Sequence, residues 1–243
     1  MKCQLIQTVK IDDTNLAERE ILKFLQNLPE GYFVYRELKL TPAYLEQVHG
    51  INEQKPDFVI VGAEVGLVSI ETKDWNLFSN TYEWQDQYKI KKFSKRGDAK
   101  DAEEIDNPVE QISRYEHGFR ELLKAQGIKF FATSLLAFPR VSRADFINRL
   151  SNIQILQNPQ SKFFLDLDQT IFKEDLDQYF LTPEKLLLRI LAKSNRRFSY
   201  SAEVVETVNR TLLPSKFIIG DFSRRQANKQ ELRILSERQQ DWI

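Results

Sequence analysis

The sequence is poor in the residues that form cross-links and zinc centres. It contains a single cysteine, Cys3, and two histidines, His49 and His117. One cysteine excludes a disulfide framework within the chain. Together with only two well-separated histidines, it also excludes a zinc site built from cysteine and histidine.

Long apolar runs are absent as well. No run approaches the ~20 apolar residues that span a bilayer, and the N-terminal segment "MKCQLIQTVKIDD" lacks the apolar core of a signal peptide. The 35 lysines and arginines balance the 35 aspartates and glutamates, so the net charge indicates no partner. We therefore expect a soluble, cytoplasmic protein with no membrane partner.

Three segments have helical spacing of apolar residues together with start signals. The segment "DDTNLAEREILKFLQNLPEG" predicts a helix capped by Asp13 or Thr14. The segment "NPVEQISRYEHGFRELLKAQG" predicts a helix capped by Asn107, and "TPEKLLLRILAKS" predicts one capped by Thr182.

Strand patterns lie between and after these helices. They are found in "YFVYREL", "TYEWQDQYKIKKF" and "IKFFATSLLAFP", and "FINRLSNIQILQ" is expected to contain another short strand. The charged segment "SKRGDAKDAEEID" is expected to be a loop. This order predicts an α/β domain over residues 1–180, with a central mixed β-sheet flanked by helices. Residues 181–243 are more polar and less periodic, and we expect a helical and irregular linker there.

The stretch "PDFVIVGAEVGLVSIETKDW", residues 56–75, predicts a β-hairpin with charged groups at its open end. The segments "DFVIV" and "LVSIETK" are strand patterns, and "GAEVG" between them suits a hairpin loop. A symmetric register predicts three cross-strand pairs: Val61 with Leu67, Val59 with Ser69, and Asp57 with Glu71. Because side chains alternate along a strand, Glu71 and Lys73 share one face. Three charged side chains therefore converge at one end of an apolar hairpin.

Two carboxylates beside a lysine suit metal-assisted phosphodiester hydrolysis. Residues directly opposite each other on antiparallel strands have Cβ atoms about 4.5–5.5 Å apart. Two carboxylates that close repel each other unless a cation lies between them, and oxygen-only ligands suit Mg²⁺ or Mn²⁺. A neighbouring ammonium group orients a water nucleophile or stabilises the negative charge that develops at phosphorus. The alternative is an acid–lysine ion pair at a sheet edge, which contributes little to stability.

The arrangement of "PD" at residues 56–57 and "ETK" at residues 71–73 resembles the PD-(D/E)XK nuclease superfamily. More narrowly, "PDFVIVGAEVGLVSIETK" is similar to the nuclease-related domain called NERD, and the resemblance covers residues 14–140. It implies a restriction-endonuclease-like core. The resemblance further implies that Asp57 and Glu71 bind Mg²⁺ or Mn²⁺, with the Thr72 carbonyl as a third ligand, and that Lys73 positions the attacking water.

Three shorter matches extend the implied site. The segment "NLAERE" resembles an early helix whose glutamate lies near the metal, which points to Glu18 and more weakly to Glu20. The segment "NPVEQ" points to Gln111 as a residue that orients substrate. The segment "QISRY" has the Gln-x-x-x-Tyr spacing of RecB-like nucleases and adds Tyr115 on the nucleic-acid side.

A second resemblance lies at the end of the chain. "LSERQQDWI", residues 235–243, is similar to the Q-motif region of UvrD-like helicases, where Gln239 or Gln240 would contact adenine. It implies that the chain is the N-terminal part of a larger nuclease–helicase. The GxxxxGK[ST] loop is absent, so we expect no ATP hydrolysis by these residues. The alternative for this segment is a polar amphipathic helix.

Basic residues cluster in "YKIKKFSKRG", with aromatic residues between them. Such a cluster suits the phosphates of DNA, and the alternative is an edge strand protected from pairing by its lysines. The candidate contacts are Lys89, Lys91, Lys92, Lys95 and Arg96.

The sequence therefore predicts two alternative functions. The first is a Mg²⁺- or Mn²⁺-dependent nuclease acting on DNA in processing, repair or defence. The second is a catalytically silent nucleic-acid-binding or docking module attached to a helicase. The intact set of Asp57, Glu71 and Lys73 favours the enzyme.

Overall fold

The computed structural model of the protein describes residues 3–7, 15–38, 55–85, 89–95, 102–150, 158, 160, 164–193 and 199–213. Nine strands and six α-helices of this part of the chain position the candidate site. The strands are β1 (Gln4–Gln7), β2 (Phe33–Arg36), β3 (Phe58–Gly62), β4 (Gly66–Thr72), β5 (Asn80–Trp84), β6 (Lys89–Ser94), β7 (Glu103–Asp106), β8 (Ala132–Phe138) and β9 (Ile171–Phe172). The helices are α1 (Leu16–Leu25), α2 (Pro108–Ala125), α3 (Arg143–Arg149), α4 (Lys173–Tyr179), α5 (Pro183–Ala192) and α6 (Ala202–Leu212).

The strands form two sheets. The larger is six-stranded, in the order β1-β2-β3-β4-β8-β9, and the smaller contains β5, β6 and β7. In the larger sheet β2, β3 and β4 are antiparallel neighbours, whereas β4, β8 and β9 run parallel to one another. The predicted α/β fold with a mixed sheet flanked by helices is therefore confirmed.

Each face of the large sheet packs against helices, which explains why its central strands are continuously apolar. Alternate residues of β3 enter different cores: Phe58 and Ile60 face one, Val59 and Val61 the other. Helices α1, α4 and α5 cover the first face, and helices α2 and α6 cover the second. Burial of one such side chain contributes about 1.5–3 kcal/mol. Because α5 and α6 belong to these cores, residues beyond position 180 also pack against the large sheet.

A third core joins the small sheet to the large one. Trp75 stacks on Tyr82 with ring centroids 4.1 Å apart, and it also contacts Phe138 of β8. Phe138 in turn contacts Phe146 of α3. This aromatic core holds the small sheet beside the carboxyl-terminal ends of β4 and β8.

The turn of the predicted hairpin depends on glycine. Gly66 has φ +73°, and a Cβ atom there would lie 2.6 Å from the carbonyl oxygen of Phe131. A side chain at this position would therefore be strained and would also collide with backbone. The close approach explains why the loop ends in glycine just where β4 begins to pair with β8.

Two local predictions are wrong. The segment expected to be a loop contains β7, whose acidic side chains pair with lysines of β6. The cap of α1 is Asn15 and not the predicted Asp13 or Thr14, and its side chain accepts from the Glu18 N–H at 3.1 Å. The strand expected within residues 146–157 stays a prediction, because residues 146–149 belong to α3, whose cap Ser142 accepts from the Asp145 N–H at 3.0 Å, and residues 151–157 lie outside the described residues. No helix in the described part of the chain is both long and apolar enough to cross a membrane.

Candidate active site

The candidate site lies at the open end of the β3–β4 hairpin. The predicted pairs of Val61 with Leu67 and Val59 with Ser69 are confirmed, and the ladder ends one pair further on. Asp57 precedes β3, so it does not form the ladder pair that the symmetric register predicts. Its Oδ2 instead accepts a hydrogen bond from the Thr72 N–H at 2.6 Å. This bond aims the carboxylate of Asp57 across the end of the hairpin.

Lys73 joins two of the predicted catalytic side chains. Its Nζ donates to Glu71 Oε1 and to Gln111 Oε1, both at 2.7 Å. The Lys73 side chain is 20% exposed and that of Glu71 is 9% exposed, so this contact is only partly open to water. Glu71, Lys73 and Gln111 thus meet at one point, although they come from β4, the segment after it and α2.

The position of Gln111 follows from the start of α2. Asn107 is buried and caps the helix by accepting from the Val109 N–H at 3.0 Å, with Pro108 at the first helical position. Both features are typical of a helix N-terminus. Because the cap is fixed against the core, the first turn holds the amide of Gln111 next to Lys73.

The carboxylates sit where negative charge is unfavourable. Burial raises the pKa of Asp57 to about 8, and the neighbouring Glu71 carboxylate contributes to the rise, whereas the bond from the Thr72 N–H opposes the shift. Burial also raises the pKa of the Tyr115 hydroxyl, and the negative charges of Glu71 and Asp57 raise it further. Tyr115 is 6% exposed and its hydroxyl contacts the Lys55 carbonyl at 3.4 Å. Tyr115 therefore lies behind the two acids on the protein side, and its assignment to nucleic-acid contacts stays a prediction.

The donor set fits a divalent cation. Glu71 Oε2 is buried and has no close hydrogen-bond partner among the described residues, although the Tyr115 hydroxyl makes a weak contact with the Glu71 carboxylate. A buried carboxylate oxygen without a partner is costly, and a cation between Asp57 and Glu71 would remove that cost. The residues placed by the structure contain no group of three or more histidine, cysteine, aspartate or glutamate side chains able to hold a metal. A cation here would therefore rely on these two acids, with the Thr72 carbonyl and water completing its ligands.

Glu18 is engaged with other partners. Its Oε2 accepts from Arg36 at 3.0 Å, and its Oε1 accepts from the side chain of Asn15. Arg36 is 2% exposed and also contacts Glu37 at 3.1 Å. Glu18 still lies close enough to raise the pKa of Asp57. The structure thus places Glu18 beside the site as the ion-pair partner of a buried arginine, and its role toward a metal stays a prediction.

Replacing Glu18 by alanine should lower the free energy of unfolding by about 3 kcal/mol, because it removes one partner of a buried ion pair. Glu20→Ala is the matched control, since Glu20 lies on the same helix and is exposed. Urea unfolding of both variants checks the difference. Equal stability of the two variants would show that Arg36 does not depend on Glu18.

The stability of the metal-free protein should fall as pH rises from about 4 to 8. Asp57 has a folded-state pKa of about 8, whereas an unfolded aspartate titrates near about 3.9. Between those values the folded state retains a proton that the unfolded state releases, so unfolding becomes more favourable by up to about 1.4 kcal/mol per pH unit. Urea unfolding in EDTA at several pH values checks this. Asp57→Asn should flatten the dependence, and an unchanged slope would contradict the shift.

A cavity of about 570 Å³ opens beside Lys73 and Gln111, where the small sheet meets the hairpin. Charged side chains of both signs line it, together with two aromatic residues of the third core. The lining residues are Lys73, Asp74, Trp75, Tyr82, Lys89, Lys92, Glu104, Ile105, Asp106 and Gln111. A substrate phosphate in this cavity would lie next to the lysine of the candidate site.

The predicted basic cluster is on β6 and just after it, but acids face it. Lys89 pairs with Asp106 and Lys92 with Glu103, both at 2.7 Å. Lys95 Nζ donates to the Leu77 carbonyl at 2.8 Å. These ion pairs are exposed and contribute little to stability, so phosphates can compete with them. The acids belong to β7, whose segment "EEID" does not alternate polar and apolar residues and therefore gives no strand signal. Lys91 also lies on β6, whereas Arg96 lies outside the described residues.

Two arginines near the site were not singled out from the sequence. Arg36 ends β2, and its only sequence signal is a charge at the end of an apolar strand, as for Asp57. Arg140 follows β8 and pairs with Asp74 at 2.9 Å. Because the Lys73 N–H bonds to the Ala137 carbonyl at 2.9 Å, the chain after β4 runs beside the chain after β8, which brings Arg140 to the same edge of the sheet.

A protein-family model matches the segment of the chain that contains the candidate site. The model described as NERD, nuclease-related domain, matches residues 14–139, just over half of the 243 residues. No curated protein and no solved structure matches the chain. The matched segment includes all of the side chains that meet around Lys73.

Proposed function

The chain belongs to the family of nuclease-related domains, and on that premise we propose that it is a Mg²⁺- or Mn²⁺-dependent nuclease that hydrolyses DNA phosphodiester bonds. The observation that carries this proposal is the meeting of Glu71, Lys73 and Gln111, with the partly buried carboxylate of Asp57 beside them. Membership alone indicates a nuclease-related function, whereas this geometry supports catalysis in particular.

Asp57 and Glu71 would hold the metal, with the carbonyl of Thr72 as a further ligand. A divalent cation in such a site supplies Lewis-acid stabilisation of phosphate charge and lowers the pKa of a bound water. The lack of a close partner for Glu71 Oε2 among the described residues and the raised pKa of Asp57 support this assignment. Both features are expected of two neighbouring carboxylates whose negative charge Lys73 compensates only in part.

Lys73 is the residue proposed to act on the reacting phosphate. Its ammonium group is held by Glu71 and Gln111 and faces the cavity beside the hairpin. A positive charge held in place before the reaction stabilises negative charge that develops on phosphate oxygens. Gln111 fixes the position of Lys73, and its amide nitrogen remains available to donate to substrate.

DNA is the proposed substrate, held through the lysines of β6. Lys89 and Lys92 line the same cavity as Lys73, so a strand that contacts them would pass the candidate site. Attachment to a helicase remains a proposal that rests on the resemblance of residues 235–243, which lie outside the described residues.

The second candidate function is a binding or docking module without turnover. The 2.7 Å ion pair between Lys73 and Glu71 favours it, because the lysine already compensates part of the buried negative charge. Such a module would bind nucleic acid in the absence of metal and would not cleave it.

The deciding experiment measures metal binding and cleavage on the same samples. Only a real site couples metal to folding, and a ligand at 100 times its Kd stabilises the folded state by about 2.7 kcal/mol. We therefore expect Mn²⁺ to raise the Tm of wild type and of Glu64→Gln, which changes an exposed residue at the opposite end of the hairpin, and not of Glu71→Gln. Cleavage of labelled DNA should follow the same pattern.

Two results would overturn the nuclease. A Tm that does not respond to Mn²⁺ or Mg²⁺, with DNA bound and intact, identifies the silent module. Cleavage that persists in Glu71→Gln at the wild-type rate assigns the activity to another site or to a contaminant.

A further inference from the structure

Phe78 is an exposed aromatic side chain on the loop between β4 and β5. Its side chain is 66% exposed, more than that of any other aromatic residue named among the exposed apolar side chains of the described chain. Single exposed apolar residues are common and need no explanation by themselves. The surroundings of Phe78 distinguish it from such a residue.

The loop presents the ring in a fixed orientation. Asn76 Oδ1 accepts from the N–H groups of Phe78 and Ser79, at 3.1 and 3.0 Å. Trp75 just before this turn and Leu77 within it are buried in the third core. Because the neighbouring side chains point inward and the turn is tied by hydrogen bonds, the exposure of Phe78 is built into the loop.

A cation covers one face of the ring. The guanidinium group of Arg149 lies over the Phe78 ring, with its carbon 4.2 Å from the ring centre, and Arg149 is itself held by Asp145 at 2.8 Å. A base that stacks on Phe78 would therefore use the opposite face of the ring. Lys95 donates to the carbonyl of Leu77, the residue before Phe78, at 2.8 Å. An aromatic face combined with positive charges is the usual way to bind a nucleic-acid strand, since bases stack on the ring and phosphates contact the cations.

The ring is within reach of the candidate site. Phe78 follows Lys73 by five residues, so their Cα atoms are separated by at most about 18 Å. At the ~3.4 Å per nucleotide of a stacked strand this distance corresponds to at most about five nucleotides. Trp75 of the same loop lines the cavity that contains Lys73.

We propose that Phe78, with Arg149 and Lys95, forms a stacking site for an unpaired base of single-stranded DNA. This inference rests on the proposed nuclease function and adds the form of its substrate. The bases of a duplex are paired and stacked on each other, so only a single strand offers a free base to the ring. The chain would then hold an unpaired strand a few nucleotides from Lys73.

The test measures binding of fluorescent DNA by anisotropy in EDTA, which separates binding from cleavage. The probes are an oligothymidylate of about 12 nucleotides, a duplex of the same length and an abasic strand with the same phosphates. Phe78→Ala should weaken binding of the oligothymidylate by about 5- to 150-fold, the range that corresponds to loss of one stacked base. Binding of the duplex and of the abasic strand should change less than about twofold, since neither stacks on the ring.

Matched variants control for general effects. Phe180→Ala removes another exposed phenylalanine, 44% exposed, and should leave all three affinities unchanged. Phe78→Trp keeps a stacking face and should restore binding of the single strand. The Tm of each variant should stay that of wild type, because both phenylalanines are largely outside the cores.

Three results would overturn the stacking site. One is an equal loss on single strand and duplex. Another is no loss in Phe78→Ala, and the third is a wild type that does not bind the single strand. None of these would remove the Mn²⁺-dependent rise in Tm or cleavage of duplex DNA, so the proposed nuclease would stand or fall separately.

Discussion

Exchanging either acid for its amide, in Asp57→Asn or Glu71→Gln, is expected to abolish metal-dependent cleavage while the protein stays folded. Each change removes one of the two carboxylates that would hold the cation, and we expect a loss of at least ~10³-fold, the upper end for a single stabilising group. The amides keep the size of the side chain, and in Asp57→Asn the new amide oxygen would still accept from the Thr72 N–H. The loss should therefore reflect charge and not structure.

Cleavage of labelled DNA under single-turnover conditions, with Mg²⁺ and with Mn²⁺, measures this loss. Asp57→Asn should also raise the free energy of unfolding at pH 8 in EDTA, because the partly buried carboxylate that repels Glu71 is gone. Wild-type cleavage by either variant would show that the metal site has been assigned to the wrong acids. A variant that loses both activity and a cooperative unfolding transition would point to a structural role.

The second large effect is expected from Lys73→Met, which should reduce turnover by about 10²–10³-fold. Methionine retains an unbranched side chain but removes the ammonium group that contacts Glu71 and Gln111. Metal affinity should stay the same or rise, since a cation that competes for Glu71 is absent. Lost turnover with retained metal binding is the pattern expected of a group that acts on the reacting phosphate.

Calorimetry with Mn²⁺ and cleavage of a duplex and a single strand separate the two effects. Lys89→Met is the matched control, because Lys89 lines the same cavity and pairs with Asp106 at an exposed position. We expect it to weaken DNA binding and to leave the rate of the bound complex unchanged. If Lys73→Met instead loses metal binding and melts at lower temperature, Lys73 holds the site together and its catalytic role must be withdrawn.

The parts of the site that could be predicted are those with strong local patterns. The β3–β4 hairpin has apolar strands on both sides of a glycine-bounded turn, so its register was predicted correctly for Val61 with Leu67 and Val59 with Ser69. Helix α2 carries an asparagine cap, a proline at its first position and Gly127 after its end. The periodicity of apolar residues and the capping of a helix depend on a few neighbouring residues, and both can therefore be read from the sequence.

The features that the sequence did not show depend on partners distant in sequence. Strand β7 has three acids and one apolar residue, and it pairs with β6, which offers lysines in register. The ion pair of Glu18 with Arg36 of β2 joins residues from two elements. The burial of Tyr115 follows from the packing of α2 against the sheet. No local pattern contains this information, and the roles of Glu18 and Tyr115 stay predictions.

What the sequence alone determined is the set of candidate side chains and the hairpin that carries two of them. Alternation along a strand already placed Glu71 and Lys73 on one face. Only the tertiary structure decided that Gln111, from a helix 38 residues away, bonds to the same ammonium group. It also decided that Asp57 is buried enough to have a pKa of about 8. The physical reason is that burial and long-range contacts arise when sheets and helices pack, whereas periodicity belongs to each element by itself.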